Sequence, residues 1–341
     1  MINNIKISNF KNIDEEFLNF KPLTILTGIN SSGKSSVLQT IFLVSYYSKP
    51  NITLEKVISK IDNFKNIKNN RIRKGQSHIK LEVNGQSYSM SIEANKEWEI
   101  KTKVDLEFEK NLYYLSAGRI GQEDISQYNK NLKFGTDGEY IFGYFDKNKN
   151  IVVENLYNQG IDDTLAGQLK FWIKEVLDID LEPFTQNVND TNLSIQYKIE
   201  GFANPISPFN VGTGVSYAIK ILIMGLCLKK GDIFIVENPE IHLHPKAISN
   251  LMWFLAFLVK SGIQIIIETH SEHIINKTRY CIYKNYLDNK DVIVHYKKDD
   301  IAKFETIKFN QNGNIVDING NLTKFPQGFF DANLKELMEL M

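Results

Sequence analysis

The chain has 341 residues, room for one large domain or about two ordinary ones, and its core needs no covalent staples. With 43% hydrophobic and 23% charged residues it has a folded globular composition, not a disordered one. Basic and acidic side chains balance at 40 each, so affinity for a polyanion must come from a local patch. The two cysteines, Cys227 and Cys281, sit in apolar runs, give no disulfide framework and fit a reducing cytoplasm. No secretory signal is read at the start, and the strongest apolar run, Leu251–Val259, is far short of the ~20 residues of a membrane span. A soluble cytoplasmic protein with no membrane partner is expected.

Ile5 and Ile7 alternate with polar neighbours and predict a strand, and Leu23–Thr27 predicts a second one ending at Gly28. Val37, Leu38, Ile41, Phe42 and Val44 then recur at helical spacing. Residues 51–74 are polar and Asn/Lys-rich and read as helix and loop. Ile79, Leu81 and Val83, the turn signal Asn84-Gly85, and Tyr88, Met90 and Ile92 predict a type I′ hairpin. A second hairpin is expected from Trp98 and Ile100 to Val104, Leu106 and Phe108. A stretch punctuated by Gly135, Gly138 and Gly143 leads to a helix over Asp163–Leu177.

From Pro208 the pattern becomes helix alternating with buried strand. Helices are expected over Ile219–Leu228 and Lys246–Val259, and strands over Ile233–Val236, Gln264–Ile267 and Val292–Val294. Uninterrupted apolar strands separated by helices imply parallel β covered on both faces. An Asn312-Gly313 hairpin and a helix over Asp331–Met341 close the chain. The fold class is α/β, a parallel or mixed core sheet with an antiparallel β subdomain.

Gly28-Ile-Asn-Ser-Ser-Gly-Lys-Ser35 matches G-x-x-x-x-G-K-[ST] between an apolar strand and an apolar-periodic helix, the context a phosphate-binding loop requires. Its glycines let backbone N–H groups turn inward around phosphate oxygens, and the helix N-terminus adds a favourable dipole. Gly28, Asn30, Ser31, Ser32, Gly33, Lys34, Ser35 and Ser36 are the candidate nucleotide contacts. Lys34 is suited to the β- and γ-phosphates and Ser35 to Mg²⁺.

Such a loop needs an acid at a neighbouring strand end. Ile233-Phe-Ile-Val-Glu237-Asn-Pro-Glu240 supplies one, with Glu237 as the Mg²⁺-side carboxylate, more than half the chain beyond Lys34. His242, His244, His270 and His273 follow, without the cysteines or spacing of a zinc site. His270, after a buried strand, is placed to meet the γ-phosphate or the attacking water, whereas His242 and His273 also fit as core histidines. Asn210-Val-Gly212-Thr-Gly214-Val-Ser216 before a helix forms a second small anion nest. Two phosphate-binding loops in one chain suggest a dimer that sandwiches nucleotide between copies.

In this order the motifs resemble an ABC-type ATPase: Asn9-Phe-Lys-Asn-Ile13, the loop Gly28–Ser36, the glycine signature, Glu237-Asn-Pro-Glu240 with Leu243-His-Pro245, and Thr269-His-Ser271. The branch most similar is the RecF-like and OLD-like (overcoming lysogenization defect) AAA-family ATPases of prokaryotic antiphage systems. Tyr114-Leu-Ser116 before Arg119, and Phe325-Pro-Gln-Gly-Phe-Phe-Asp331, resemble one subgroup. The resemblance implies an ABC-ATPase-like P-loop fold and a single head. Its lobes are residues 1–50 (phosphate loop), 51–110 (insert and meander), 111–205 (helical linker), 206–300 (signature, acid and histidine) and 301–341 (hairpin and helix). It further implies ATP and Mg²⁺ as cofactors and a head-to-tail homodimer. Gly212, Gly214 and Ser216 take the signature role, Glu237 the strand-end acid and His270 the switch histidine.

The sequence departs from that pattern at Asn238, where the family's catalytic base is an acid. Asparagine orients water but accepts no proton. Either Glu240 or Glu268 substitutes, or turnover is slow and ATP acts as a switch. No long heptad pattern is present, and after Val294 only about fifty residues remain, too few for an OLD-type nuclease module. A nuclease or toxin effector is therefore expected on a separate chain.

Three functions stand open from sequence: a slow ATPase switch controlling such an effector, a recombination or repair ATPase acting on DNA, and a nucleotide-binding scaffold silenced by Asn238. For DNA the candidates are Lys65, Lys68, Arg71, Arg73 and Lys74, in a stretch free of acids that also reads as a solvated charged loop.

Overall fold

The computed structural model describes residues 1–50, 52–61, 63–69, 71, 75–94, 96–153, 156–317 and 319–326. The chain divides into two compact units: Met1–Asn111 with the chain from Ile266 onward, and Leu112–Ile265.

Unit 1 opens with β1 (Ile2–Phe10), β2 (Ile13–Asn19), β3 (Leu23–Gly28), α1 (Lys34–Ser48), α2 (Ile52–Ile58), α3 (Phe64–Ile67), β4 (Ser77–Val83), β5 (Gln86–Ile92) and β6 (Glu99–Ile100). Five of these strands form an antiparallel sheet in the order β2-β1-β4-β5-β6. The Asn84-Gly85 turn adopts positive φ at both positions (51° and 79°), as a type I′ hairpin demands. Ile5, Ile7, Ile79 and Leu81 point inward with no exposure. β3 is buried at every position, so its run of apolar residues and threonines has no solvent face.

The second hairpin expected after Trp98 does not form. β6 pairs back onto β5 (Met90↔Ile100), and the segment carrying Val104 and Leu106 forms no strand. Those side chains are nevertheless buried, because α1 takes the place of a partner strand. Ser45 Oγ donates to the Leu106 carbonyl at 2.8 Å, and the Val104 N–H donates to Ser48 Oγ at 3.1 Å. The alternating pattern reported burial, and the hydrogen bonds went to a helix instead of a ladder.

Unit 2 contains β7 (Leu112–Leu115), β8 (Ile125–Gln127), α4 (Ile141–Asn148), α5 (Leu165–Leu177), β9 (Leu181–Asn187), β10 (Asn192–Ile199), a 3₁₀ turn at Pro208–Asn210, α6 (Thr213–Leu226), β11 (Ile233–Glu237) and α7 (Pro245–Lys260). β7 runs parallel to β11, pairing Leu112↔Ile233 through Leu115↔Val236. The region read as helical linker carries a three-stranded antiparallel sheet, β8-β10-β9. Leu193, Ile195 and Tyr197 on β10 alternate inward, and the proline in β9 is tolerated because β9 is an edge. α6 is buried on nearly all sides and packs with α4, α5 and α7. Trp172 on α5 lies 5.0 Å from the rings of both Phe254 and Phe257 on α7.

β12 (Gln264–Thr269) carries the chain back to unit 1, followed by α8 (Glu272–Tyr283), β13 (Val292–Lys297), β14 (Glu305–Phe309) and β15 (Ile315–Val316). β13 is parallel to β3, with Lys297 opposite Gly28, and β14 and β15 add antiparallel strands through the Gly313 turn. The helix expected over Asp331–Met341 lies outside the described residues, as does most of Phe325–Asp331. No helix among the described residues is long and apolar enough to cross a membrane.

Candidate nucleotide site

The phosphate loop joins β3 to α1 in unit 1. Ser31 (φ 61°) and Gly33 (φ 109°) take the left-handed conformation that turns successive N–H groups to one side. Gly33 caps α1, and a Cβ there would stand 2.7 Å from Asn12 Oδ1, so the position requires glycine twice over. Asn12 Nδ2 in turn donates to the Ser31 carbonyl at 2.9 Å. The Asn9–Ile13 motif is thus the tight turn between β1 and β2 that braces the loop, with Asn9 and Lys11 also at positive φ. Asn12 was not singled out from sequence beyond its place in that motif.

Lys34, 3% exposed, folds over its own loop and donates from Nζ to the carbonyls of Gly28 (3.1 Å) and Ile29 (2.7 Å). Ser32 is fully buried, and its hydroxyl has no hydrogen-bond partner among the described residues. Ser35 Oγ donates to Glu268 Oε1 at 2.9 Å, joining the first turn of α1 to the end of β12. Asn30 is exposed, and Ser36 is buried within 3.5 Å of Asn12 Oδ1. Two residues beyond Glu268, the His270 ring hydrogen-bonds the Gly28 backbone. Partial burial, then the charge of Lys34, hold its pKa below the usual value, which keeps it neutral near pH 7. The donor set fits a triphosphate: loop N–H groups, an ammonium and an orphan hydroxyl. The Ser35–Glu268 pair of hard oxygens fits Mg²⁺.

Unit 2 holds the other motifs. Glu237 ends β11, and its Oε2 accepts from the Ala117 N–H at 3.1 Å. Burial pushes its pKa up, while that bond, a second from Tyr114 and the charge of Arg119 oppose the shift. Asn238 sits at φ 41°, a conformation asparagine tolerates better than most residues, and its Oδ1 is buried without a hydrogen-bond partner among the described residues. Glu240 follows on the same turn, and its charge acts on Arg119.

In the signature, Gly212 starts α6 on open ground, whereas a Cβ on Gly214 would meet the His242 carbonyl at 2.3 Å. Ser216 is buried, its hydroxyl 3.0 Å from Tyr197 Oη, so it faces the interior of the unit and not the open side of Gly212. His244 caps α7 by accepting from the Lys246 N–H, and the exposed His242 packs its ring 5.0 Å from Tyr217. Among the described residues no three His, Cys, Asp or Glu converge as metal ligands.

Two residues of unit 2 carry more than their sequence signal. Arg119 is 1% exposed, and Gln122 Nε2 donates to the signature-loop carbonyls of Pro208 (2.9 Å) and Val211 (2.7 Å). A polar side chain near a motif gives no periodic signal, so neither role is readable from spacing. In the basic stretch Lys65 is exposed and Lys68 partly so. Arg71 is engaged by both the carbonyl and the carboxylate of Asp300, and Arg73 and Lys74 lie outside the described residues.

Comparison with known proteins bears on the family and the fold. Residues 23–276 match the family described as "AAA domain, putative AbiEii toxin, Type IV TA system", and residues 287–340 match a family of proteins of unknown function (DUF3696). A sequence search of curated proteins finds no match. Among solved structures, the Smc head bound to the C-winged helix domain of ScpA has a TM-score of 0.59 at 10% identity, covering 91% of this chain and 98% of that one. The Smc head with an extended coiled coil, bound to the C-terminal domain of ScpA derived from Pyrococcus furiosus, has a TM-score of 0.53 at 12% identity, covering 99% of each chain. The chain thus shares the ABC-ATPase-like fold of Smc heads and belongs to the AAA-domain family that its residues 23–276 match.

Proposed function

We propose that this chain binds ATP with Mg²⁺ and hydrolyses it slowly, as a nucleotide-dependent switch in the cytoplasm that forms a head-to-tail homodimer and controls a separately encoded effector in antiphage defence. One observation carries the reading: Lys34 laid along the carbonyls of Gly28 and Ile29, beside a Ser35 hydroxyl already paired with Glu268. An ammonium, a helix N-terminus and a hydroxyl–carboxylate pair on one loop are the chemistry that a metal-bound triphosphate requires.

In this reading Lys34 and the loop N–H groups hold the β- and γ-phosphates. Ser35 and Glu268 would hold Mg²⁺, whose charge would offset that of those phosphates. Water attacks the γ-phosphorus, the bond to the ADP oxygen breaks, and a carboxylate of the Glu237–Glu240 turn takes the proton. Neutral His270 offers a hydrogen bond to the γ-phosphate or the water. Gly212, at the exposed start of α6, contacts the nucleotide of a second copy. The family's toxin–antitoxin description supports a defence role, and the two Smc heads bound to ScpA domains support a head that works on a separate protein.

A second reading is favoured by Asn238, which places a carboxamide where a base is expected: a scaffold that binds ATP without hydrolysing it. Phosphate release by the parent and by Glu237→Gln separates the two. Slow release abolished by the substitution supports the ATPase; nucleotide binding with no release in the parent supports the scaffold. Direct action on DNA finds less support, because Arg71 is already bound by Asp300.

A further inference from the structure

The connector Ser116–Gln122, between β7 and β8, touches both functional features of unit 2. At its centre the buried Arg119 guanidinium forks across main-chain oxygens. Nη1 donates to Ser116 (3.1 Å) and Glu237 (2.9 Å), and Nη2 to Asn238 (2.9 Å). Two of those three carbonyls belong to the strand-end acid and to the left-handed residue after it. A cation this buried is costly, and its pKa is drawn down to about 10 by burial against the pull of Glu240, Tyr217 and Glu237. An apolar side chain of similar volume would stabilise a core at least as well. The fork instead fixes the path of the Glu237–Asn238 backbone.

The other face of the guanidinium meets α6. Its Cζ lies 5.2 Å from the ring centroid of Tyr217, in the second turn of the signature helix, and the same ring packs on His242 beyond Glu240. A Cβ on Gly121 would sit 2.6 Å from that ring, so the connector approaches as closely as glycine allows. One residue later Gln122 takes the Pro208 and Val211 carbonyls and accepts from Thr213 Oγ1 at 3.4 Å. A single seven-residue segment therefore grips the acid turn at one end and the signature loop at the other.

We propose that Arg119 is a positioning residue that locks the acid turn to the signature helix, so that engagement of the signature by nucleotide sets the geometry of Glu237 and Asn238. The regulatory meaning rests on the proposed function; the mechanical coupling does not. Arg119→Lys keeps the charge but replaces a planar fork by a point charge that cannot span three carbonyls. The test is amide hydrogen exchange on the full chain, with ATP turnover measured alongside. Exchange in peptides covering 237–243 and 209–217 is expected to quicken together by about tenfold, while peptides over 28–36 stay unchanged. Faster exchange over 237–243 alone would overturn the coupling.

Turnover is expected to fall roughly a hundredfold with the KM for ATP within about threefold, the signature of lost positioning and not of lost binding. If Arg119→Lys fails to fold, Tyr217→Leu takes its place: it bonds neither Glu237 nor Asn238, yet it should quicken exchange over 237–243, and no change there would refute the proposal. A parent without turnover would refute hydrolysis while leaving the exchange result to decide the coupling.

Discussion

The two units hold their polar functional groups by opposite means. In unit 1, Lys34 reaches back from α1 to two carbonyls of its own loop, the Ser35 hydroxyl donates to Glu268, and Ser32 keeps a buried hydroxyl without a hydrogen-bond partner among the described residues. These are polar side-chain contacts on the loop itself or, for Ser35, on the end of β12. In unit 2, Glu237 and Asn238 are held through their backbones by Arg119, and Gln122 holds the signature loop the same way. There the side chains that do chemistry are not the ones that fix position. The contrast assigns ligand binding to the first unit and geometry to the second, and substitutions should divide along that line.

The largest effect is expected at Lys34. Lys34→Ala removes a charged donor to phosphate and should weaken ATP binding by about a hundredfold, read by equilibrium titration. Equal affinity in parent and variant would break the assignment of unit 1. Next, Glu237→Gln should leave ATP affinity nearly unchanged and cut phosphate release by roughly a hundredfold or more. Because burial raises the pKa of Glu237, turnover in the parent should fail on the acid side at a pH above the ordinary carboxylate value of 4.5.

Stability offers a third probe, specific to unit 1. His295 on β13 is fully buried, with Nε2 on the Asn19 carbonyl (2.8 Å) and Nδ1 near Thr306 Oγ1 (3.1 Å), and burial lowers its pKa from 6.5 to about 4. The folded state resists a proton that the unfolded chain accepts below pH 6.5. Stability is therefore intact above that value and falls by roughly 3 kcal/mol as pH drops towards 4. In His295→Gln the slope contributed over that window should vanish, as denaturant titrations at several pH values would show.

A smaller effect is expected at Glu268→Gln, where the Mg²⁺ concentration for half-maximal turnover should rise about tenfold. The smallest is at Arg71. Its pair with Asp300 is largely exposed, so Arg71→Ala should cost no more than about 1 kcal/mol and leave ATP turnover unchanged.

Much of the first unit was legible in the residues. The phosphate loop, its flanking strand and helix and the Asn84-Gly85 hairpin each depend on a short local pattern. The parallel strands β11 and β13 showed as apolar runs because both of their faces are covered. What escaped was non-local. Val104 and Leu106 alternate like a strand but satisfy their backbones on Ser45 and Ser48 of α1, a choice no local pattern records. The four residues of β7 are too few to carry a period, and β9 is disguised by its proline. Arg119 and Gln122 bind carbonyls far away in sequence, and a carbonyl has no letter in the alphabet. Ser216 read as an anion ligand from its neighbours, while the Tyr197 hydroxyl that faces it lies on a strand the sequence reading passed over.

The most direct test of the central claim is steady-state phosphate release from ATP by the purified full chain, with Lys34→Ala beside it. The account predicts slow, Mg²⁺-dependent release by the parent and none by the variant. Release at equal rates from both proteins would contradict it.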